Sequence, residues 1–346
     1  MNNSSSGVKG IHLVGSAPVK NAEDMFILAT NHLSNHIKRL PDGEFGERDT
    51  WIRFQYKRLL SSPQLKSSGE TAPYVPISPV ICETGINSAT QIEIPNLGYA
   101  DAAIDSYTVF EKMMNKGEIA TDLRFQIGLP TPYSVATFYG HTSTQEILEK
   151  AYQNAIEKEL ARIFETIPHN RLAIQWETVT EFAVLEGFQV SHIKADIMNQ
   201  LTSRVANLLD LVPPKAETGI HLCYGDSGHK HFCEPKDATY LAKFANGIKA
   251  RSKRKMDWLH LPIPKERDDD KYFEPLSELA LNRETELYLG IIHNTGGIEG
   301  SKRRISTAKR HVKQFGVSTE CGLGRRDRET MPELLAQHRI LVESNL

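Results

Sequence analysis

The chain reads as an α/β protein, a (β/α)8 TIM barrel with an inserted hairpin or lid between its second and third strands. Three observations predict this. Short β-branched or apolar runs recur eight times along the sequence. Each is followed by a polar or Pro/Gly-containing corner and then by a longer segment of helical periodicity, the order that builds parallel crossovers. The corners also hold the chemistry-bearing side chains, and on this fold sites are assembled at the C-terminal ends of the strands.

The predicted strands, in order, are Ile11–Gly15, Ile37–Leu40, Phe125–Gly128, Leu172–Trp176, Gly219–Cys223, Met256–Leu261, Glu286–Ile292 and Phe315–Ser318. Helical spacing is clearest over Thr144–Thr166, Ser191–Leu211, Asp237–Ala250, Ile298–Gln314 and Met331–Val342, where apolar residues three and four apart give one buried stripe each. Residues 1–10 are expected to be a disordered lead-in, with an Asn/Ser run through Gly7. Residues 11–346 are expected to form a single barrel domain with its insertion at about 55–122. That insertion holds Pro73, Pro76, Pro79 and Pro95 beside short extended pieces, which suits a hairpin or lid better than a separate domain.

Length and charge are compatible with this reading. The 346 residues would allow two ordinary domains or one barrel of about 250 residues with insertions. A formal charge of -2, from 41 basic and 43 acidic residues, gives no general attraction to nucleic acid or to an anionic membrane. Neither is expected as a partner. The basic runs Lys249–Lys255 and Ser301–Arg304 lack interleaved aromatics and read as solvated helix ends. Four Cys are too few for a disulfide scaffold and fit a reducing compartment, where a special Cys binds metal or reacts. With no apolar run of about 18 residues and no basic-then-apolar leader, the expected location is cytoplasmic. Nothing in the sequence sets the oligomeric state.

The strand corners carry Gly15-Ser16, Asp42-Gly43-Glu44, Gly128-Leu129-Pro130, Glu177, His221-Leu222-Cys223, His260, His293-Asn294-Thr295 and Glu320-Cys321-Gly322. His221 and Cys223 lie two apart, so both side chains point to one side of a strand. Imidazole and thiolate are good zinc ligands, and Cys321 at the end of the last strand would join them only in a closed barrel. A core His with two unrelated buried Cys is the plainer alternative for such a pattern.

Five segments in order resemble the cobalamin-independent methionine synthase family, whose catalytic C-terminal barrel belongs with uroporphyrinogen decarboxylase in one superfamily. His221–Asp226 and Val317–Asp327 are similar to its metal-binding His-x-Cys and Ser-Thr-Asp-Cys-Gly-Leu segments. Asp42–Phe54 and Leu172–Glu177 resemble its substrate-binding segments, and His12–Val19 resembles its Gly-Ser-Phe-Pro corner. The matches span Ile11 to Arg326. The resemblance implies a divergent single-barrel methyltransferase of the methionine biosynthesis type. Its ligands would be zinc (Zn2+) and a small thiol, with a methyltetrahydrofolate-type compound as a possible methyl donor. It implies His221, Cys223 and Cys321 as metal ligands. It implies Gly15, Ser16, Asp42, Glu44 and Glu177 as substrate-binding residues, with Glu44 and Glu177 holding an ammonium group.

Two positions depart from the family. Its fourth ligand, a Glu, aligns with Pro262, which cannot bind metal; His260 on the same alternation phase or Glu266 from the loop could substitute. Its catalytic His aligns near Thr295, and His293 either takes over as the acid/base or is satisfied by a backbone carbonyl. The expected function is zinc-dependent methyl or alkyl transfer to a homocysteine-like thiol. The alternatives are a metal-free lyase or decarboxylase on the same barrel, or a non-catalytic small-molecule or metal-binding homologue. His229, His231 and Cys233 read as an incidental loop cluster, and Trp51, Trp176 and Trp258 as core or as stacking surfaces.

Overall fold

Eight parallel strands follow one another in chain order: β1 (Val8–Ile11), β2 (Arg39–Pro41), β3 (Arg124–Pro130), β4 (Leu172–Thr178), β5 (Glu217–Leu222), β6 (Trp258–Pro262), β7 (Glu286–Ile292) and β8 (Phe315–Thr319). The computed structural model describes residues 7–70, 77–228 and 230–344, and of Ser34 the backbone alone. Each strand pairs with the next from β2 to β8, and β8 pairs with β1. A parallel bridge between Ile11 and Ile37 joins β1 to the residues entering β2, which curls the sheet into a closed (β/α)8 barrel.

The outer ring is α1 (Ala22–Leu33), α2 (Tyr99–Asn115), α3 (Gln145–Thr166), α4 (Ile197–Asp210), α5 (Thr239–Arg251), α6 (Asp270–Phe273), α7 (Gly297–His311) and α8 (Met331–Glu343). Their buried stripes follow the spacing that predicts them; in α3, Leu148, Ala151, Tyr152, Ala155, Ile156, Glu159, Leu160 and Ile163 face inward. The sixth crossover is the exception. Proline and charge dominate the segment after β6, so only a four-residue helix forms there, started by the Asp269 carboxylate accepting from the Tyr272 N–H.

Several boundaries differ from the sequence expectation. β1 begins at Val8 rather than Ile11, and β2 and β6 each run one residue further, ending on Pro41 and Pro262. A proline lacks only the N–H, and the last residue of a strand can do without that donor. Of the stretch 55–122, Tyr99–Asn115 is the second crossover helix, packed between α1 and α3. Within the remainder, Leu65–Ser67 pairs antiparallel with Val80–Cys82. Pro73 and Pro76, most of the Asn/Ser run and His229 lie outside the described residues.

The barrel interior is layered and unusually polar for this fold. At the N-terminal end the buried Arg39 donates from Nε to Glu217 (2.6 Å) and from Nη1 to Glu286 (2.9 Å), with its guanidinium 4.2 Å from the centre of the Trp258 ring. Gly219 leaves the space that this indole fills. The middle layer holds His12, Gln126, Gln175, His221 and His260, all buried. Above it, at the C-terminal ends of the strands, lie the candidate site residues. Among the described residues no helix is long and apolar enough to cross a membrane.

Candidate metal and substrate site

Two strands and two corners bring together one imidazole and two thiols. β5 turns His221 inward and Leu222 outward. The Cys223 N–H then donates to Thr178 O (2.9 Å), extending the ladder so that Cys223 again faces in. Cys321 arrives from the corner after β8. The two Sγ atoms are 3.7 Å apart, and ligand atoms of His221, Cys223 and Cys321 lie within 4.8 Å of one another. A tetrahedral ion with metal–sulfur bonds of about 2.3 Å separates two thiolates by about 3.8 Å. The sulfur spacing therefore suits zinc and is far too long for a disulfide of about 2.05 Å. The Gly225 N–H donates to Cys223 Sγ (3.2 Å), and the Arg325 guanidinium stands 4.0 Å from Cys321 Sγ while donating to Asp226 (3.1 Å). His221 Nε2 is buried without a hydrogen-bond partner. The adjacent Cys321 thiol and burial push Cys223 well above the usual thiol range; a bound cation would act in the opposite direction.

The expected replacements for the fourth ligand do not reach the cluster. His260 has both ring nitrogens engaged. Nε2 is 3.0 Å from Thr319 O, an acceptor only, and Nδ1 is 2.6 Å from His221 Nδ1. Its place is one layer below the sulfurs, since His221 and His260 are register neighbours on β5 and β6. Glu266 is exposed on its loop, and Pro262 is buried with its carbonyl accepting from the Tyr272 hydroxyl (3.3 Å). The described donor set is one nitrogen and two sulfurs, which leaves a position open on a tetrahedral ion.

Beside this cluster two carboxylates converge. A Cβ built on Gly128 would stand 2.8 Å from both Glu177 Oε1 and Glu44 Oε1, so any larger residue would push the two carboxylates from their present positions. Glu44 also presses against Gly15. Burial, then repulsion from Glu177, raises Glu44 well above the usual carboxyl range; burial raises Glu177, against the Gln175 amide that donates to its Oε1 (3.3 Å). Glu44 adopts φ 49°, a left-handed backbone that a non-glycine residue holds only when its surroundings enforce it. The enforcement comes from Asp42. Its carboxylate accepts from the Glu44 N–H (3.0 Å), Ser106 Oγ (2.7 Å) and Arg48 Nη2 (2.7 Å). Asp42, expected to touch substrate, is thus occupied in shaping the turn that presents Glu44. Ser16 and Gly15 line the same mouth, and Gly322 and Gly324 pack so closely on Ser16 Oγ that the first and last corners meet.

His293 stands beside Glu320, the residue before Cys321. Its Nε2–H donates to Ile263 O (2.8 Å), and Nδ1 is 3.7 Å from Glu320 Oε1; burial lowers it to about 4. Glu320 is met on its other oxygen by His231 Nε2 at 3.3 Å. Burial would raise Glu320, but His231 and His293 hold it below the usual range. His231 and Glu320 went unassigned in the sequence, His231 as an incidental loop residue. The signal that could have identified them is an acid directly before Cys321 and a histidine in the loop after the His-x-Cys strand. Trp176 and Trp258 are core residues, whereas Trp51, at φ 55°, stands edge-on to Phe138.

No protein-family profile and no curated protein matches the chain. Solved structures do match its fold over nearly the whole length. One is from Listeria monocytogenes, assigned as a vitamin-B12-independent methionine synthase, at 13% identity and TM-score 0.60, covering 98% of this chain and 99% of that one. Another is a B12-independent methionine synthase from Shewanella sp. W3-18-1 in complex with selenomethionine, at 12% identity and TM-score 0.56, covering 98% and 96%. A third is a methyltransferase from Methanosarcina mazei, at 14% identity and TM-score 0.55, covering 98% and 95%. At these identities the likeness shows a shared fold alone.

Proposed function

We propose that the protein is a zinc-dependent methyl or alkyl transferase acting on a small, homocysteine-like thiol. One observation carries this reading: a two-thiol, one-imidazole donor set with an open position lies beside a buried, mutually repelling carboxylate pair. The first suits a thiolate and the second an ammonium, the two ends of a thiol amino acid. His221, Cys223 and Cys321 would hold the ion, whose charge would keep a bound thiol deprotonated and nucleophilic at neutral pH. Glu44 and Glu177 would take the ammonium, which relieves their repulsion and fixes the sulfur's direction. Gly15 and Ser16 close the amino-acid end of the pocket. His293, with Nε2–H anchored on Ile263 O and a bare Nδ1 near Glu320, would take up on Nδ1 the proton released when the thiol binds and return it to the departing group of a methyltetrahydrofolate-type donor.

The test is metal content. Protein purified without added metal is expected to hold close to one zinc per chain, and Cys223→Ser or Cys321→Ser should remove most of it. Metal-free wild-type protein, with stability unaltered in both variants, would refute the proposal. If zinc is present, cobalt substitution followed by a panel of small thiols identifies the open position through a change in the visible absorption. No response across the panel would favour a storage or binding role over transfer.

A further inference from the structure

We infer that His260 is a positioning residue that sets the tautomer of His221 and so leaves Nε2 as the bare nitrogen for a cation shared with the two thiols. The inference rests on the metal reading above. A line of contacts runs from β8 through β6 to β5. Thr319 O can only accept, so His260 Nε2, 3.0 Å away, carries a hydrogen. A neutral His260 therefore has its lone pair on Nδ1. His221 Nδ1 is 2.6 Å from that lone pair, and one proton lies between the two nitrogens. It belongs to His221, whose own lone pair is thereby placed on Nε2. That atom is buried and has no hydrogen-bond partner.

The same line ties two proposed ligands together. Thr319, which accepts from His260, uses its Oγ1–H to hold the Cys321 carbonyl at 2.8 Å. His260 thus links His221 on one strand to the Cys321 corner on another, and in-register pairing of β5 with β6 places both rings in one layer of the barrel. His260 would act on the metal only through His221. Partners of this kind fix ring orientation and ligand basicity, and their loss typically weakens metal binding about 10–100-fold.

The experiment measures zinc dissociation constants by chelator competition at one pH for the wild-type protein, His260→Leu and His260→Asn. The Asn amide oxygen falls where His260 Nδ1 now accepts. His260→Leu is expected to weaken zinc about 10–100-fold, and His260→Asn to restore affinity to within a few-fold of wild type. Wild-type affinity in His260→Leu overturns the inference while leaving the metal reading intact; absence of zinc binding by wild-type protein overturns the metal reading itself. A second measurement covers a Leu variant that fails to fold. Nitrogen-15 spectra of metal-free wild-type protein, with His221 assigned by His221→Gln, should show Nδ1 protonated and Nε2 bare. The opposite tautomer overturns the inference.

Discussion

The two ends of the barrel handle buried charge in opposite ways. At the N-terminal end Arg39 is matched to Glu217 and Glu286, capped by the Trp258 ring, and joined at the rim by Lys38 and Arg124. Every charge there has a partner. At the C-terminal end two carboxylates share the space over Gly128, two thiols lie in contact, and His221 Nε2 has no partner. Burying unpaired polar groups costs stability unless something else satisfies them. The first end pairs its charges within the chain. Under the proposed function, a cation and an ammonium-bearing ligand would complete the second.

The largest effect is expected at the N-terminal end. Arg39→Ala should destabilise the fold by about 3 kcal/mol, because it removes the one buried cation between two partly buried glutamates and leaves them only Lys38 and Arg124 at the rim. Chemical denaturation of the metal-free protein reads this. Zinc affinity in the same variant should stay within a few-fold of wild type, since the site lies a layer above.

At the open end, Glu177→Gln should separate stability from binding. Affinity for a thiol amino acid should fall about 30-fold, equivalent to about 2 kcal/mol, as the ammonium loses one of its carboxylates. Stability without ligand should instead rise at pH 8, by about 1–3 kcal/mol, as one buried acid is removed. Loss of both binding and stability would show that the carboxylate is structural.

The smallest effect expected is in pH dependence. Folding raises both Glu44 and Glu177, so the native state holds their protons more tightly than the unfolded chain. Their contribution is therefore favourable below the ordinary carboxyl range and is lost as pH rises through the raised values. Thermal unfolding of the free protein should fall gradually from about pH 5 to pH 8, and Glu177→Gln should flatten that slope. Affinity for an ammonium-bearing thiol should move the other way and increase with pH as the pair ionises.

Much of this was legible along the chain. The alternation that marks β4 as LAIQWE also turns Gln175 and Glu177 to one face, and the spacing of His221 and Cys223 already placed both on one side of β5. The short sixth crossover was harder, because no helical period spans the Pro- and Asp-rich segment after Pro262. Asp42 shows a different difficulty. An acid in a corner looks like a ligand-binding group, and only Ser106 and Arg48, brought in from elsewhere, reveal that its oxygens are occupied.

Eight strands, five of their crossover helices and the residue types at the corners follow from the sequence alone, because these depend on periodicity and local turn chemistry. Tertiary structure alone decided which corners meet. Closure of the ring brings Cys321 to Cys223 and Ser16 to Gly322, and register between β5 and β6 sets His260 against His221 rather than among the sulfurs. These contacts join residues far apart in the chain, and no local pattern encodes the distance at which two strand ends come to rest.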